Sequence, residues 1–131
     1  SLVLHRKAHY AAEHFRLPTG GVNLGEPVLD AALRETAEET GLEVTVLRFL
    51  AVIEYTLRFD AIRLPFVSYV FHLRETGGQL SLHGGEAEDF RECRPEELPA
   101  VAAALRGIPG ERGYWGRWRA VAHEVAAEAW T

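Results

Sequence analysis

Cysteine is almost absent from this sequence: Cys93 is the only one in 131 residues. With no second thiol there is no internal disulfide and no cysteine pair for a metal site. Cys93, in FRECRPEEL, therefore reads as a small half-buried residue, and an intracellular, reducing, cytoplasmic setting is expected. Lysine is nearly absent too. Thirteen arginines and Lys7 form the basic set, and the net charge is −5 with histidines neutral. That balance lacks the general basic footprint of a nucleic-acid binder. No apolar run approaches the ~18 residues needed to span a bilayer, so no membrane partner is expected. The start shows no signal-peptide pattern. Internal repeats and low-complexity linkers are missing as well. His5, His9 and His14 crowd the early segment without a metal-ligand spacing, and His72, His83 and His123 are isolated and read as ordinary structural histidines.

What is present suits one core. Hydrophobic residues make up 47% of the chain and charged residues 25%, so residues 1–131 are expected to form a single domain. Residues 2 to 6 alternate as a strand does, and the chain enters that strand so abruptly that further residues are expected upstream. RLPTGGVNLGEP is a loop punctuated by Pro18, Gly20, Gly21, Gly25 and Pro27. A helix follows. Pro27 suits its first turn, Val28, Leu29, Ala32, Leu33, Thr36 and Ala37 repeat as a buried face, and Gly41 is placed to end it.

Three strand candidates come next: LEVTVLRF, LAVIEYTLRF and FVSYVFHLRE. DAIRLP reads as a loop and ETGGQL as a hairpin turn. HGGEAED is a second glycine and acid loop. FREC leads into a short helix in RPEELPAVAAALRG, with Pro95 or Pro99 in a first turn. The last helix runs from Tyr114 to Trp130, with Trp115, Trp118, Ala122, Val125 and Ala129 as its apolar stripe. Strands interleaved with helices on one short chain point to an α/β layered domain.

The first helix carries the chemistry. Glu35, Glu38 and Glu39 fall within about a 100° arc of it. Like charges so close repel unless solvent screens them or a cation sits among them. Their carboxylates can converge on one point, and carboxylate oxygens are what hard cations such as Mg²⁺ prefer. Arg34 can reach Glu38 one turn on and hold a carboxylate in one rotamer. The preceding glycines allow close backbone approach to a ligand, and a loop entering a helix can cradle phosphate through its N–H groups. A solvated acidic face is the plainer reading of RETAEET alone. The full spacing is more specific: Gly20, five residues, Glu26, seven residues, Arg34-Glu35, two residues, Glu38-Glu39, one residue, Gly41, then Leu42.

That pattern resembles the Nudix box, the signature of the Nudix hydrolases, with all seven of its charged and glycine positions filled. RLPTGG is similar to the family's loop before the box, and EAEDFRECRPEELP to its late acidic segment, strand and short helix. The resemblance covers residues 2 to 99. It implies an α/β/α sandwich around a mixed central β-sheet, with the family's first strand upstream of residue 2. It also implies a pyrophosphohydrolase, a hydrolase of phosphoric anhydride bonds. The reaction is water attack on phosphorus in a nucleoside diphosphate linked to another group, with Mg²⁺ as cofactor and Mn²⁺ as the alternative.

By position, the resemblance makes Glu35, Glu38 and Glu39 metal ligands. Glu35 is the candidate base, acting through a metal-bound water, and Arg34 orients a glutamate. Glu26, roughly 13 Å along a helix from Glu35, is a structural partner of the loop or of Arg34. A late glutamate completes the site, Glu86 ahead of Glu88. Thr19, Gly20 and Gly21 form the phosphate loop. Three positions depart from the family pattern: Thr36 where an aliphatic is usual, Thr19 where glycine is common, and Glu92 where tryptophan is common. The expected partner is a nucleotide-type small molecule, with nucleic acid limited to RNA 5′ ends, and a second copy of the chain as a homodimer.

Specificity lies outside the box. Tyr55, Phe59 and Tyr69 are candidates to stack on a base, Arg58 and Arg63 to bind phosphate, and His5, His9 and His14 to line the pocket. Two other classes compete: a non-catalytic Nudix domain that senses a nucleotide, and an interaction domain that uses the Trp115/Trp118 helix.

Overall fold

The structure, a computed structural model, describes residues 2–7, 15–81 and 87–130. In chain order the elements are β1 (Leu2–Lys7), α1 (Val28–Thr40), β2 (Leu42–Phe59), β3 (Ile62–Gly78), β4 (Ala87–Cys93), α2 (Leu98–Arg106) and α3 (Gly113–Ala129). Short 3₁₀ turns at Pro95–Glu97 and Gly110–Arg112 lead into α2 and α3. The α/β class stands. Among the described residues the pairings are antiparallel throughout and fall in two two-stranded sheets, β1 with β4 and β2 with β3, instead of one mixed sheet. No helix among them is long and apolar enough to cross a membrane.

β1 is a six-residue strand paired with β4. Leu4 and His5 are neighbours, so they point to opposite faces, yet both are fully buried. Leu4 enters the core formed with Cys93 of β4, Val101, Ala102 and Leu105 of α2, Ile108 of the link that follows, and Ala120 of α3. His5 faces the other way, its Nδ1 3.9 Å from a carboxylate oxygen of Glu39 on α1. β1 is thus covered on both sides by helices. Burial pushes the Cys93 thiol above its ordinary range, which keeps it protonated and inert.

The long hairpin departs from the expected three strands. β2 runs unbroken through Leu50, and β3 absorbs most of DAIRLP and the start of ETGGQL. The chain reverses at Asp60 and Ala61, the first two residues of the expected DAIRLP loop, between the paired Phe59 and Ile62. Asp60 adopts φ 53° there, a left-handed conformation that aspartate tolerates better than most residues. Register shifts at three places let the ribbon bend. Cross-strand partners share a face, so the pairs Phe49/Phe71, Val52/Tyr69 and Glu54/Val67 lie on one face and Tyr55/Phe66 on the other. The second face meets α3: Tyr55 and Phe66 stand edge-on to Trp118, and Arg48 donates a 3.0 Å hydrogen bond to the Trp130 carbonyl. The first face is bare, with Phe49, Val52, Val67 and Tyr69 each 45–53% exposed.

Two helices turn a different side inward than their apolar residues suggest. In α3 the buried row is Gly113, Gly116, Ala120, His123 and Ala126, while Trp115, Trp118, Ala122, Val125 and Ala129 lie half-buried beside it. The reason is close packing on α2: a Cβ at Gly116 would overlap the Leu105 carbonyl oxygen. Small residues allow that approach, and the tryptophans flank the contact. In α1 the buried residues are Ala31 and Thr40, whereas Leu29 and Ala37 are exposed. The helix begins at Val28 with Pro27 just before it, its carbonyl accepting the first bond from Ala31 N–H at 3.0 Å.

Candidate active site

The box helix is anchored at its end before it is anchored at its acids. Gly41 caps α1 at φ 78°, its N–H donating to the Ala37 carbonyl at 2.9 Å. A side chain there would be strained, and its Cβ would lie 2.5 Å from the Gln79 carbonyl. Thr40 is buried and bonded twice: its hydroxyl donates to the Thr36 carbonyl at 2.6 Å and accepts from Leu42 N–H at 3.1 Å. This pins the start of β2 to the helix and sets the rotation of α1. That rotation turns the glutamates toward the protein. The side chains of Glu35 and Glu39 are only 22% and 15% exposed, while Glu38 is 55% exposed.

Arg34 gathers the acids. Its Nε and Nη2 donate to the two oxygens of Glu26 at 2.8 and 2.9 Å, a bidentate fork. Nη1 donates to Glu35 at 2.9 Å and to Glu38 at 3.1 Å, and Nη2 also reaches the Gly21 carbonyl at 3.0 Å. Glu26 in turn accepts from Asn23 N–H at 3.0 Å. The guanidinium, with help from that amide, lowers the Glu26 carboxyl to about pH 2, and Glu26 first and Glu35 second raise Arg34 above its already high range. Glu26 is therefore the loop and arginine partner that its distance along the chain suggested.

The loop facing these acids is held by other groups. Arg16, buried, exchanges backbone hydrogen bonds with His5 of β1 at 2.8 and 3.0 Å. Its Nη1 donates to the Thr19 hydroxyl at 2.8 Å and to the Leu17 carbonyl at 3.2 Å. Leu17 N–H donates to His123 Nε2 on α3 at 2.9 Å, and His123 Nδ1–H donates to the Arg119 carbonyl at 2.8 Å. Burial, chiefly, lowers His123 to about pH 4, so the ring is neutral with one nitrogen free to accept. Gly20 then packs directly on Glu35, where a Cβ would overlap the carboxylate and the carbons behind it. That contact explains glycine at the first position of the pattern.

The oxygen donors suit a hard divalent cation: half-buried carboxylates from one helix beside a glycine wall. Among the described residues no three acidic or histidine side chains already surround one point. Arg34 Nη1 draws Glu35 and Glu38 to itself, and Glu39 lies toward His5. Glu86 falls outside the described residues, as do His9, His14 and His83, and nothing is described of the Glu88 or Phe59 side chains.

A family model described as the NUDIX domain matches residues 1–114. The chain belongs to the Nudix family. It is 36% identical over 87 residues to MutT4 of Mycobacterium tuberculosis, a match that covers 66% of this chain and 35% of that protein. It is 36% identical over 101 residues to a protein named ADP-ribose pyrophosphatase from Methanocaldococcus jannaschii, covering 77% of this chain and 58% of the relative. The chain thus spans about a third and under two thirds of the lengths of these two curated relatives. A crystal structure of a UDP-X diphosphatase shares the fold, with a TM-score of 0.61 at 22% identity over 98% of this chain and 57% of that one.

Within this Nudix domain the other substrate candidates do not meet. Tyr55 packs against α3 while Tyr69 lies on the opposite, bare face of the hairpin. Arg58 and Arg63 pair with each other next to the turn, and Arg58 N–H donates to the Tyr114 hydroxyl at 3.2 Å. Only His5 of the early histidines is described, and it reaches the box at Glu39. Arg16 and His123 were not legible as site residues. Arg16 opens RLPTGG without a chemical pattern of its own, His123 lies in no motif, and each acts through a backbone or loop partner that only the fold supplies.

Proposed function

We propose that this Nudix domain hydrolyses a phosphoric anhydride bond in a nucleoside diphosphate linked to another group, with Mg²⁺, or Mn²⁺ in its place, as cofactor. The observation that carries the reading is the Arg34 fork. One guanidinium holds Glu26, Glu35 and Glu38 together against a loop that packs a glycine on Glu35. Glu35, Glu38 and Glu39 would hold the metal, with Glu86 completing the set. The metal would neutralise charge building on the phosphate oxygens and sharpen the acidity of water. Glu35 is the base, and its contact with Arg34 keeps it aimed. Thr19, Gly20 and Gly21 form the wall against which the phosphates lie. The single cysteine agrees with a cytoplasmic, reducing setting.

The same proposal takes residues 1–131 as one domain and pairs two copies through the bare face of the β2–β3 ribbon. Phe49, Val52, Val67 and Tyr69 form a contiguous apolar patch there, of the kind that marks an interaction surface. Light scattering on the purified chain reads the oligomer directly.

The test of the chemistry is phosphate or nucleotide release with Mg²⁺ over a panel: ADP-ribose first, because a relative bears that name, then UDP-linked sugars, dinucleoside polyphosphates, NADH, nucleoside triphosphates and capped RNA. Glu39→Gln is run beside it. Hydrolysis of one class, lost in the variant, supports the reading. Binding of nucleotide with no turnover of any member overturns it in favour of a sensor domain. Millimolar Mg²⁺ is also expected to raise the Tm, since a ligand that binds only the folded state stabilises it.

A further inference from the structure

His123 lies 106 residues from Leu17, on the innermost row of α3, and is 2% exposed. It serves neither the charge network nor the surface. Its ring joins two backbones: it accepts from Leu17 N–H and donates to the Arg119 carbonyl one turn earlier on its own helix. The second bond fixes the tautomer that leaves Nε2 free for the first. Past Leu17 the chain has little freedom. Pro18 fixes its own φ, the Thr19 hydroxyl is held by Arg16, and the next residue is Gly20, which packs on Glu35. A shift at Leu17 therefore passes to the wall beside Glu35.

We propose that His123 is a positioning residue of the active site, which sets the 17–20 run, and through Gly20 the rotamer of Glu35, by accepting the Leu17 amide proton. The proposal rests on the box being the active site, as argued above. Isoleucine, leucine or phenylalanine at 123 would fill the core as well, but would leave the part-buried Leu17 N–H without an acceptor. A histidine here supplies volume and an acceptor together.

Three substitutions separate these roles. His123→Gln keeps an acceptor where Nε2 stands. His123→Asn keeps a donor near Nδ1 but falls short of Leu17. His123→Leu keeps volume alone. Amide exchange at Leu17, read by NMR, is expected to stay near wild type in the Gln variant. In the Asn and Leu variants it is expected to speed up by about tenfold or more. In the same two variants kcat is expected to fall by about ten- to a hundredfold with KM within about twofold, the range that a displacement of ~1 Å at a site produces. The Gln variant restores it.

Two results overturn the proposal: Leu17 protected equally in all three variants, or Leu17 exposed in the Asn and Leu variants while kcat, measured well below their Tm, is unchanged. If the Leu variant does not fold, the Gln and Asn pair decides alone. Should the wild type hydrolyse nothing in the panel, the function reading has failed. The exchange at Leu17 then still reports whether His123 sets the loop.

Discussion

The acids on α1 and the loop that faces them are neighbours held by opposite means. Glu26, Glu35 and Glu38 are tied by one guanidinium at the surface, all through charge. Residues 16 to 19 are tied by buried groups: a backbone pair with β1, the Arg16 side chain and a neutral histidine. The contrast suggests a division of labour. A charge-held set can be gripped again by a cation, because ion pairs near water cost little to rearrange. A run hydrogen-bonded to buried groups cannot rearrange without leaving polar groups unpaired. One side of the site is free to answer a ligand, and the other is the fixed surface against which it does so.

The strongest way to break this picture is at Glu35, where the two sides touch. Glu35→Gln keeps the shape and the Arg34 contact through its amide oxygen, and removes the base. A fall in kcat of about a thousandfold is expected from the loss of a positioned base, with the melting temperature nearly unchanged. A fall under tenfold would move the role of base to Glu38 or Glu39.

Acid separates the two sides by pH window. His123 ionises near pH 4 in the folded chain against an ordinary 6.5. Between those values the unfolded chain takes up a proton that the folded chain refuses, so stability falls as pH drops from 6.5 toward 4. Burial opposes protonation there, the nearby Arg16 and Arg119 oppose it further, and the Arg119 carbonyl and Glu124 only partly offset them. The integrated loss is roughly 3 kcal/mol. Urea titrations from pH 7 to 4 measure it, and His123→Gln should abolish that part of the slope. Glu26 has the reverse displacement, about 2 against 4.5. Its contribution is complete above 4.5 and is lost as pH falls toward 2, a window that overlaps the histidine's only between about 4.5 and 4.

How much of this was legible follows the same divide. The charge-held side is local: Glu26, Arg34, Glu35 and Glu38 lie within one loop and one helix, so spacing alone brings them together. The buried side is not. Leu17 and His123 are 106 residues apart, and an isolated histidine offers no pattern to read. The helix faces failed for a related reason. Apolar periodicity marked Leu29 and Ala37 of α1 and the tryptophans of α3 as inward, but capping at Thr40 and Gly41, and the need for glycine against α2, set the rotations instead. The reversal at Asp60 and Ala61 falls inside DAIRLP, where a loop was expected; the misread features were the break near Leu50 and the glycines at 77 and 78, which pair within β3 instead of ending it.

Arg34→Lys sharpens the comparison at a smaller scale. A lysine is a point charge and cannot fork onto Glu26 while reaching Glu35, Glu38 and the Gly21 carbonyl. A drop of about tenfold in kcat is expected, or about 1.4 kcal/mol. The Glu26 carboxyl should also move back up toward its ordinary range in an NMR titration. An unmoved Glu26 would mean that Asn23 N–H, not the guanidinium, lowers it.

Two threonines one turn apart, one of them the site of the smallest expected effect, test whether hydroxyls on α1 matter by type or by partner. Thr40→Val removes the acceptor for the Leu42 amide in a buried position, which costs about 1–3 kcal/mol when a polar group is left unpaired. Thr36 also donates to the carbonyl four residues back, at 2.7 Å, but no amide depends on it. That carbonyl keeps its helical partner when the hydroxyl is gone, and back-bonding of this kind adds little to a helix. Thr36→Val is half-buried and swaps a hydroxyl for a methyl, so a change within about 0.5 kcal/mol is expected. Equal losses at the two sites in thermal unfolding would mean that the Leu42 contact does not set the rotation of α1. The turn of the glutamates toward the protein would then need another cause.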